Sequence, residues 1–146
     1  STSYTTREQV YRIEPGVVVS HSLDERLLPL YQGNGYTRPE LEHYFEQGST
    51  SYSVFDADGP LSTCFIFKNY DVIWEIGGVY TLPEKRGQGL AKRVVRAALC
   101  DMLEKGRTPR YQVVETNLAS IHLAQKLGLQ RFTTTQHFLY QPVDHQ

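Results

Sequence analysis

Cysteine is scarce in this chain, and methionine and tryptophan are scarcer. Its 146 residues include two cysteines, Cys64 and Cys100, one methionine and one tryptophan. Two cysteines make neither a disulfide framework nor a CxxC pair, so a reducing cytoplasm is the expected setting. No apolar run approaches the ~18 residues needed to cross a bilayer. No basic segment followed by an apolar one opens the chain as a secretory signal. No membrane association is therefore expected. Net charge is lacking too: a formal −1 at pH 7 argues against the strongly basic domain that nucleic-acid binding usually needs. The five histidines, His21, His43, His122, His137 and His145, have no metal-ligand spacing, so no metal is expected. The first residue is Ser1 rather than methionine, which leaves an upstream domain open. The length suits one domain over residues 1–146, with a loose arm or first edge strand at residues 1–10. A chain of this size hides roughly 70% of its extended surface on folding, enough for a core without staples.

What charge there is lies unevenly. Between Pro83 and Arg110 there are eight Lys and Arg against three acids, a net of +5. Between Ser22 and Glu75 there are nine acids against three bases, a net of −6. A basic segment beside an acidic one suits an anionic cofactor and a cationic substrate; the plainer alternative is two solvated faces of opposite sign.

The pattern along the chain alternates between strand and helix. Val17-Val18-Val19 reads as a short strand. Ser22 with Glu25 three residues on reads as a capping box for a helix from Leu23 to about Tyr31. Thr37, followed by Pro39 and Glu40, predicts a second helix to about Gln47, stopped by Gly48. Ser51 to Phe55 and Leu61 to Lys68 flank a turn at Asp56-Ala57-Asp58-Gly59, a hairpin. A longer strand runs from Asp71 to Leu82, closed by Pro83. Leu90, Val94, Ala98 and Met102 then recur every four residues, the apolar face of a helix ending at Lys105-Gly106. Tyr111 to Thr116 reads as a strand, Asn117 to Leu127 as a capped helix, and Gln130 to Tyr140 as β-rich. Strand, two helices, three strands, helix, strand, helix and strand make a mixed α/β domain with a central sheet.

The segment Val79-Tyr80-Thr81-Leu82-Pro83-Glu84-Lys85-Arg86-Gly87-Gln88-Gly89-Leu90-Ala91 carries the chemistry. It is a strand, a glycine-rich turn and a helix start. Glycines let the backbone approach a ligand, and the unpaired amides of a helix start converge on one spot at the positive end of its dipole. That makes an anion site, with phosphate the best fit. No Gly-Lys-Ser/Thr follows, so it is not a Walker loop; the third glycine of the dinucleotide fingerprint is missing.

Arg86-Gly87-Gln88-Gly89-Leu90-Ala91 resembles motif A of the GNAT superfamily of N-acetyltransferases, Arg/Gln-x-x-Gly-x-Gly/Ala. It follows a strand ending in proline at the family's spacing and opens an amphipathic helix. Residues 111–128 resemble motif B, with Asn117, Ser120, Lys126, Leu127 and Gly128 in register. The resemblance covers about residues 72–138. It implies a mostly antiparallel sheet splayed at a bulge in the motif A strand, flanked by about four helices. It implies acetyl-CoA as acyl donor and a primary amine, small-molecule or peptide, as acceptor. Backbone groups of Val79, Tyr80 and Thr81 would meet the pantetheine arm, and the amides from Arg86, Gly87, Gln88 and Gly89 to Leu90 and Ala91 the pyrophosphate. Asn117 and Ser120 would contact the cofactor. Lys92, Arg93 and Arg96 would meet the remaining phosphates or form a wet helix face. A homodimer is left open, as are a non-catalytic acyl-CoA-binding module and the cofactor half of a larger enzyme.

For catalysis the resemblance implies Glu75, eleven residues before Arg86, as general base. Glu75 shares strand parity with Gly77, Val79 and Thr81, and its apolar neighbours Trp74 and Ile76 favour a raised pKa. Many family members have a tyrosine seven residues after the motif B asparagine, as proton donor to the leaving thiolate. Here that position is Ala124. Ser120 or His122 could substitute, though Ser120 on the cofactor and His122 facing outward is the preferred reading. Cys64 and Cys100 read as buried packing, with a covalent Cys64 relay as the exception. Tyr31, Tyr36, Tyr44 and Phe45 are divided between core and acceptor wall, with Glu40, Glu42 or Glu46 to attract an amine.

Overall fold

The computed structural model describes residues 2–5, 14–113 and 118–134. Seven strands are present among the described residues: β1 (Thr2–Thr5), β2 (Val17–Ser20), β3 (Thr50–Asp56), β4 (Gly59–Tyr70), β5 (Ile73–Thr81), β6 (Thr108–Val113) and β7 (Gln130–Thr134). They form one sheet in the order β2-β3-β4-β5-β6-β1-β7. Every pairing is antiparallel except β5 with β6. The mixed α/β architecture with a mostly antiparallel sheet is as the sequence predicts. The N-terminal strand is not at an edge, however. β1 lies between β6 and β7, pairing with both.

Four α-helices accompany the sheet among the described residues: α1 (Leu28–Gly33), α2 (Arg38–Glu46), α3 (Leu90–Glu104) and α4 (Leu118–Lys126). The start of the first helical segment differs from the Ser22 expectation. A 3-10 turn at Glu25–Leu27 precedes α1, and its cap is Asp24, whose side chain accepts from the Arg26 N–H. The Asp24 carboxylate also grips the Arg26 guanidinium at 2.7 Å, which fixes the chain two residues later than a Ser22 cap would. At α2 the Thr37–Glu40 capping box forms in both directions.

The helices divide the core in two. Leu90, Val94, Ala98 and Met102 of α3 are buried against Tyr52, Cys64, Ile66, Trp74 and Ile76 of the sheet. Ala124 of α4 and Leu127 after it belong to the same cluster. On the other face, Leu27, Leu28, Tyr31 and Leu41 close over Phe65, with Tyr36, Tyr44, Phe45 and Phe67 packed around them. The Phe65 ring is within 6 Å of the ring centroids of Tyr36, Tyr44, Phe45 and Phe67.

β6 begins earlier than the sequence predicts, at Thr108 rather than Tyr111, and runs through Pro109. The proline is tolerated for a local reason. The Thr108 N–H donates to Val72 O at 2.8 Å, so strand alternation turns the Pro109 nitrogen away from β5. On that side β1 pairs from Tyr111 onward, and no ladder donor is lost.

Candidate functional site

The centre of the site is an irregularity in β5. Phe65 of β4 stands opposite Gly77, and Thr63 opposite Tyr80. Two steps on β4 therefore match three on β5, which is a bulge at Gly78-Val79. Gly78 has φ +63, and a Cβ there would stand 2.5 Å from Phe65 Cε1. Glycine is required both for the backbone angle and for the space.

The bulge changes which side chains share a face. Glu75 lies opposite Phe67, on the α1 and α2 side, while Ile76 belongs to the α3 cluster. Past the bulge, Val79 packs on the α3 cluster, and the Thr81 hydroxyl bonds Ser62 Oγ at 2.8 Å. Tyr80 turns to α1, where its hydroxyl would lie 3.0 Å from a Cβ on Gly33. Glu75 thus shares a face with Gly77 and Tyr80, not with Val79 and Thr81. Simple parity from Glu75 to Thr81 fails because the extra residue inverts it.

Beside the bulge the sheet opens. β5 pairs with β6 from Ile73↔Thr108 to Ile76↔Tyr111, although β6 continues to Val113. From Gly77 onward that edge of β5 has no strand partner among the described residues. The Leu82 N–H donates to Leu61 O at 2.9 Å, so alternation puts Thr81 and Val79 at positions whose N–H and C=O point away from β4. Asn34 Nδ2 reaches the Val79 carbonyl at 3.4 Å, and Arg86 Nε the Thr81 carbonyl at 3.0 Å. Both reach in on the opened edge. By the same alternation the Tyr80 backbone is turned to β4.

α3 starts at the mouth of this opening. Its N-cap is Gly89, with φ +77 and no side-chain cap bond. The Arg93 N–H donates to Gly89 O at 3.2 Å, so the amides of Leu90, Ala91 and Lys92 precede the first α-helical bond. A Cβ on Gly87 or Gly89 would meet nothing within 4 Å. Open space, free amides and the positive end of a 15-residue helix together favour a bound anion. Arg86 and Gln88 are exposed beside it. Arg93 is committed elsewhere: it bonds Glu14 Oε2 at 3.1 Å and Pro15 O at 3.2 Å, while Lys92 and Arg96 are partly exposed. Asn117 lies outside the described residues. Ser120 is on α4, with its side chain undescribed.

The other side of β5 is built from side chains. Glu75 Oε1 accepts from Asn69 Nδ2 at 2.8 Å and lies 4.0 Å from Arg110 Nε. Burial pushes its carboxyl above the usual carboxylate range, against the opposing pull of Arg110 and Asn69. Tyr36 comes from the loop after α1. Its hydroxyl lies 3.6 Å from where a Cβ on Gly77 would be. Tyr36 and Tyr44 are both pushed up, chiefly by burial, and the charges of Glu40 and Glu75 act on both. In the sequence Tyr36 stands out only as a member of an aromatic group, since no spacing ties it to the bulge. Glu40, Glu42 and Glu46 are exposed on α2.

Of the remaining candidates, Ala124 and Cys64 are core residues and His122 is not. Ala124 is fully buried, and His122 is exposed. Cys64 is fully buried, bonds the Val94 carbonyl, and has its thiol pushed up by burial; that disfavours a thiolate nucleophile. Among the described residues no group of three or more His, Cys, Asp or Glu could hold a metal, and no helix is long and apolar enough to cross a membrane.

Residues 65–138 match the family described as FR47-like protein. No curated protein matches the chain. Several solved structures share its fold. A GNAT family protein from Novosphingobium aromaticivorans is 22% identical with a TM-score of 0.71, over 90% of this chain and 59% of its own. The Bacillus subtilis acetyltransferase, solved in complex with CoA, is 16% identical with a TM-score of 0.71, over 88% of this chain and 85% of its own. A GNAT family acetyltransferase from Streptococcus pneumoniae is 18% identical with a TM-score of 0.65, over 89% of this chain and 93% of its own. This chain therefore spans well under two thirds of the Novosphingobium protein.

Proposed function

Because the chain belongs to the FR47-like family and has the GNAT fold, we propose that it transfers an acetyl group from acetyl-CoA to a primary amine by direct attack. The observation that carries this reading is the uncapped start of α3 following a bulged, half-opened β5. An opened strand edge and a bare helix start suit a ligand with amides at one end and phosphates at the other. Val79 and Thr81 would bond the pantetheine arm. The turn from Arg86 to Ala91 would hold the pyrophosphate. The Bacillus subtilis neighbour's complex with CoA lends support.

Glu75 accepts the proton that the amine must lose. Its raised pKa brings its basicity closer to the working pH. The amine nitrogen forms a bond to the thioester carbon, the C–S bond breaks, and sulfur leaves as thiolate. With Ala124 buried and lacking a hydroxyl, that position supplies no proton to the sulfur. None is needed for departure, since a thiol of pKa about 8.5 leaves readily near neutral pH. The net charge of −6 over residues 22–75 draws a cationic amine, small or peptide, towards Glu75.

A second reading is that the chain is the cofactor-binding part of a larger acyltransferase, favoured by its spanning 59% of the Novosphingobium protein. Measuring CoA release from acetyl-CoA with and without a panel of amines, with mass detection of products, tests the main reading. Amine-dependent release and an acetylated product are expected. Tight acetyl-CoA binding with no amine-dependent release would leave a binding module instead.

A further inference from the structure

The loop between α1 and α2 closes on the β5 bulge. Asn34 reaches the Val79 carbonyl, and two residues later Tyr36 brings its hydroxyl against Gly77. A bulge leaves its extra residue outside the ladder. Gly78 has no cross-strand partner between the Phe65↔Gly77 and Thr63↔Tyr80 pairs, and its N–H acts on the Tyr36 oxygen. The amide donates to the phenol oxygen and so orients it on the Glu75 face, leaving the phenol's own O–H free to donate. The phenol is well held. Its ring makes edge contacts with Tyr31 at 6.4 Å and Phe65 at 5.5 Å, and its backbone N–H donates to Tyr31 O at 3.0 Å. Burial and the neighbouring negative charges keep it protonated, as a donor must be.

We propose that Tyr36 is a catalytic residue whose hydroxyl, held by the Gly78 N–H against Gly77, donates a hydrogen bond to the thioester carbonyl oxygen as the amine adds. This rests on the acetyl-transfer reading above. The amine lone pair forms the N–C bond, and the carbonyl π pair moves onto oxygen. Tyr36 hydrogen bonds that oxygen without giving up its proton. The pair then returns as the C–S bond breaks, sulfur leaves as thiolate, and the ammonium proton goes to Glu75. Tyr36 does not replace the hydroxyl missing at Ala124; it acts on oxygen rather than sulfur.

The test is Tyr36→Phe, which keeps the ring and removes the donor. Removing one such donor should lower kcat about 10²-fold. Acetyl-CoA affinity should stay within about twofold, because the loss belongs to the transition state. The loss should be the same at every pH below tyrosine ionisation, which a lost base would not give. A second readout is the carbonyl stretch of bound acetyl-CoA carrying ¹³C at the thioester. It should lie higher in Tyr36→Phe than in the wild type. If that variant does not fold, a fluorinated, more acidic tyrosine at position 36 should lower the stretch instead. Turnover above about a third of wild type, or a stretch insensitive to position 36, overturns this role and leaves acetyl transfer standing. A wild-type protein that releases no CoA with any amine overturns both.

Discussion

On one side of the β5 bulge the groups proposed to hold the donor are backbone ones; on the other, those proposed to meet the acceptor are side chains. The proposed donor side runs through Val79, Thr81 and the turn from Arg86 to Ala91, a continuous stretch of the chain. The proposed acceptor side joins Tyr36, Phe67 and Glu75 from three separate elements. A site made of consecutive backbone depends on local conformation and tolerates many side chains, glycines apart. A site made of gathered side chains depends on the whole sheet being in register. The first should lose affinity when broken, and the second should lose turnover.

Glu75→Gln should break the comparison hardest. General-base catalysis is worth about 10²- to 10⁴-fold, or roughly 3 to 5 kcal/mol. Turnover should drop by that much while acetyl-CoA affinity holds, as steady-state kinetics and direct titration would show. Turnover above about a third of wild type would remove the role. The loss should shrink as pH rises and more acceptor amine arrives neutral. Glu75 must be ionised to act, and burial raises its pKa, so the wild-type kcat/KM should climb along a limb above the ordinary value of about 4.3 that the variant lacks. Stability should move the other way. A raised carboxyl pKa contributes stability present below about 4.3 and lost as pH rises through the folded value. Glu75→Gln should therefore unfold no earlier than wild type at neutral pH.

Gly78→Ala strikes where the two sides meet. A Cβ at φ +63 and 2.5 Å from Phe65 combines left-handed strain with overpacking, together about 2 to 4 kcal/mol. The denaturant midpoint should fall with the m-value unchanged. A variant as stable as wild type would mean that the bulge is not held as described. Gly89→Glu acts on the donor side alone. A side chain and negative charge at the α3 start should weaken acetyl-CoA binding at least tenfold, about 1.4 kcal/mol, with folding retained; an unchanged dissociation constant would remove the anion site. The smallest effect is Thr37→Ala, which deletes one half of the α2 capping box at a cost of about 1 kcal/mol. It loosens the loop that carries Tyr36, so KM for the amine should rise while acetyl-CoA affinity stays put. Equal changes in both would erase the distinction between the two sides.

The same division decides what could be read from the residues alone. The glycine-rich turn, the α3 apolar face, the β3–β4 hairpin and the Thr37 cap of α2 are all local patterns, and all appear where the sequence puts them. Misreadings arise where neighbours in sequence compete or distant segments meet. Asp24 outcompetes Ser22 as a cap because its carboxylate also holds Arg26. The parity linking Glu75 with Val79 and Thr81 fails because the bulge at Gly78 inserts a residue. Arg93, which the residue pattern leaves between a phosphate ligand and a wet helix face, pairs with Glu14, 79 positions away. The approach of Tyr36 to Gly77 depends on the register of β5 against α1 and α2, which no local spacing encodes.

The seat of β1 bears on the order in which the molecule assembles. Thr2 pairs with Val113 on one side and Thr134 on the other, contacts spanning more than a hundred residues. Closing such loops costs entropy before any pairing repays it, and distant strand pairs form slowly. The hairpin of β3 and β4, joined by a tight turn, can form early. During synthesis, β1 emerges before either of its partners and must wait first for β6 and then for β7. The half of the sheet beyond β6 is therefore the last to close, and until β1 docks the outer edge of β6 stays open to pairing with other chains.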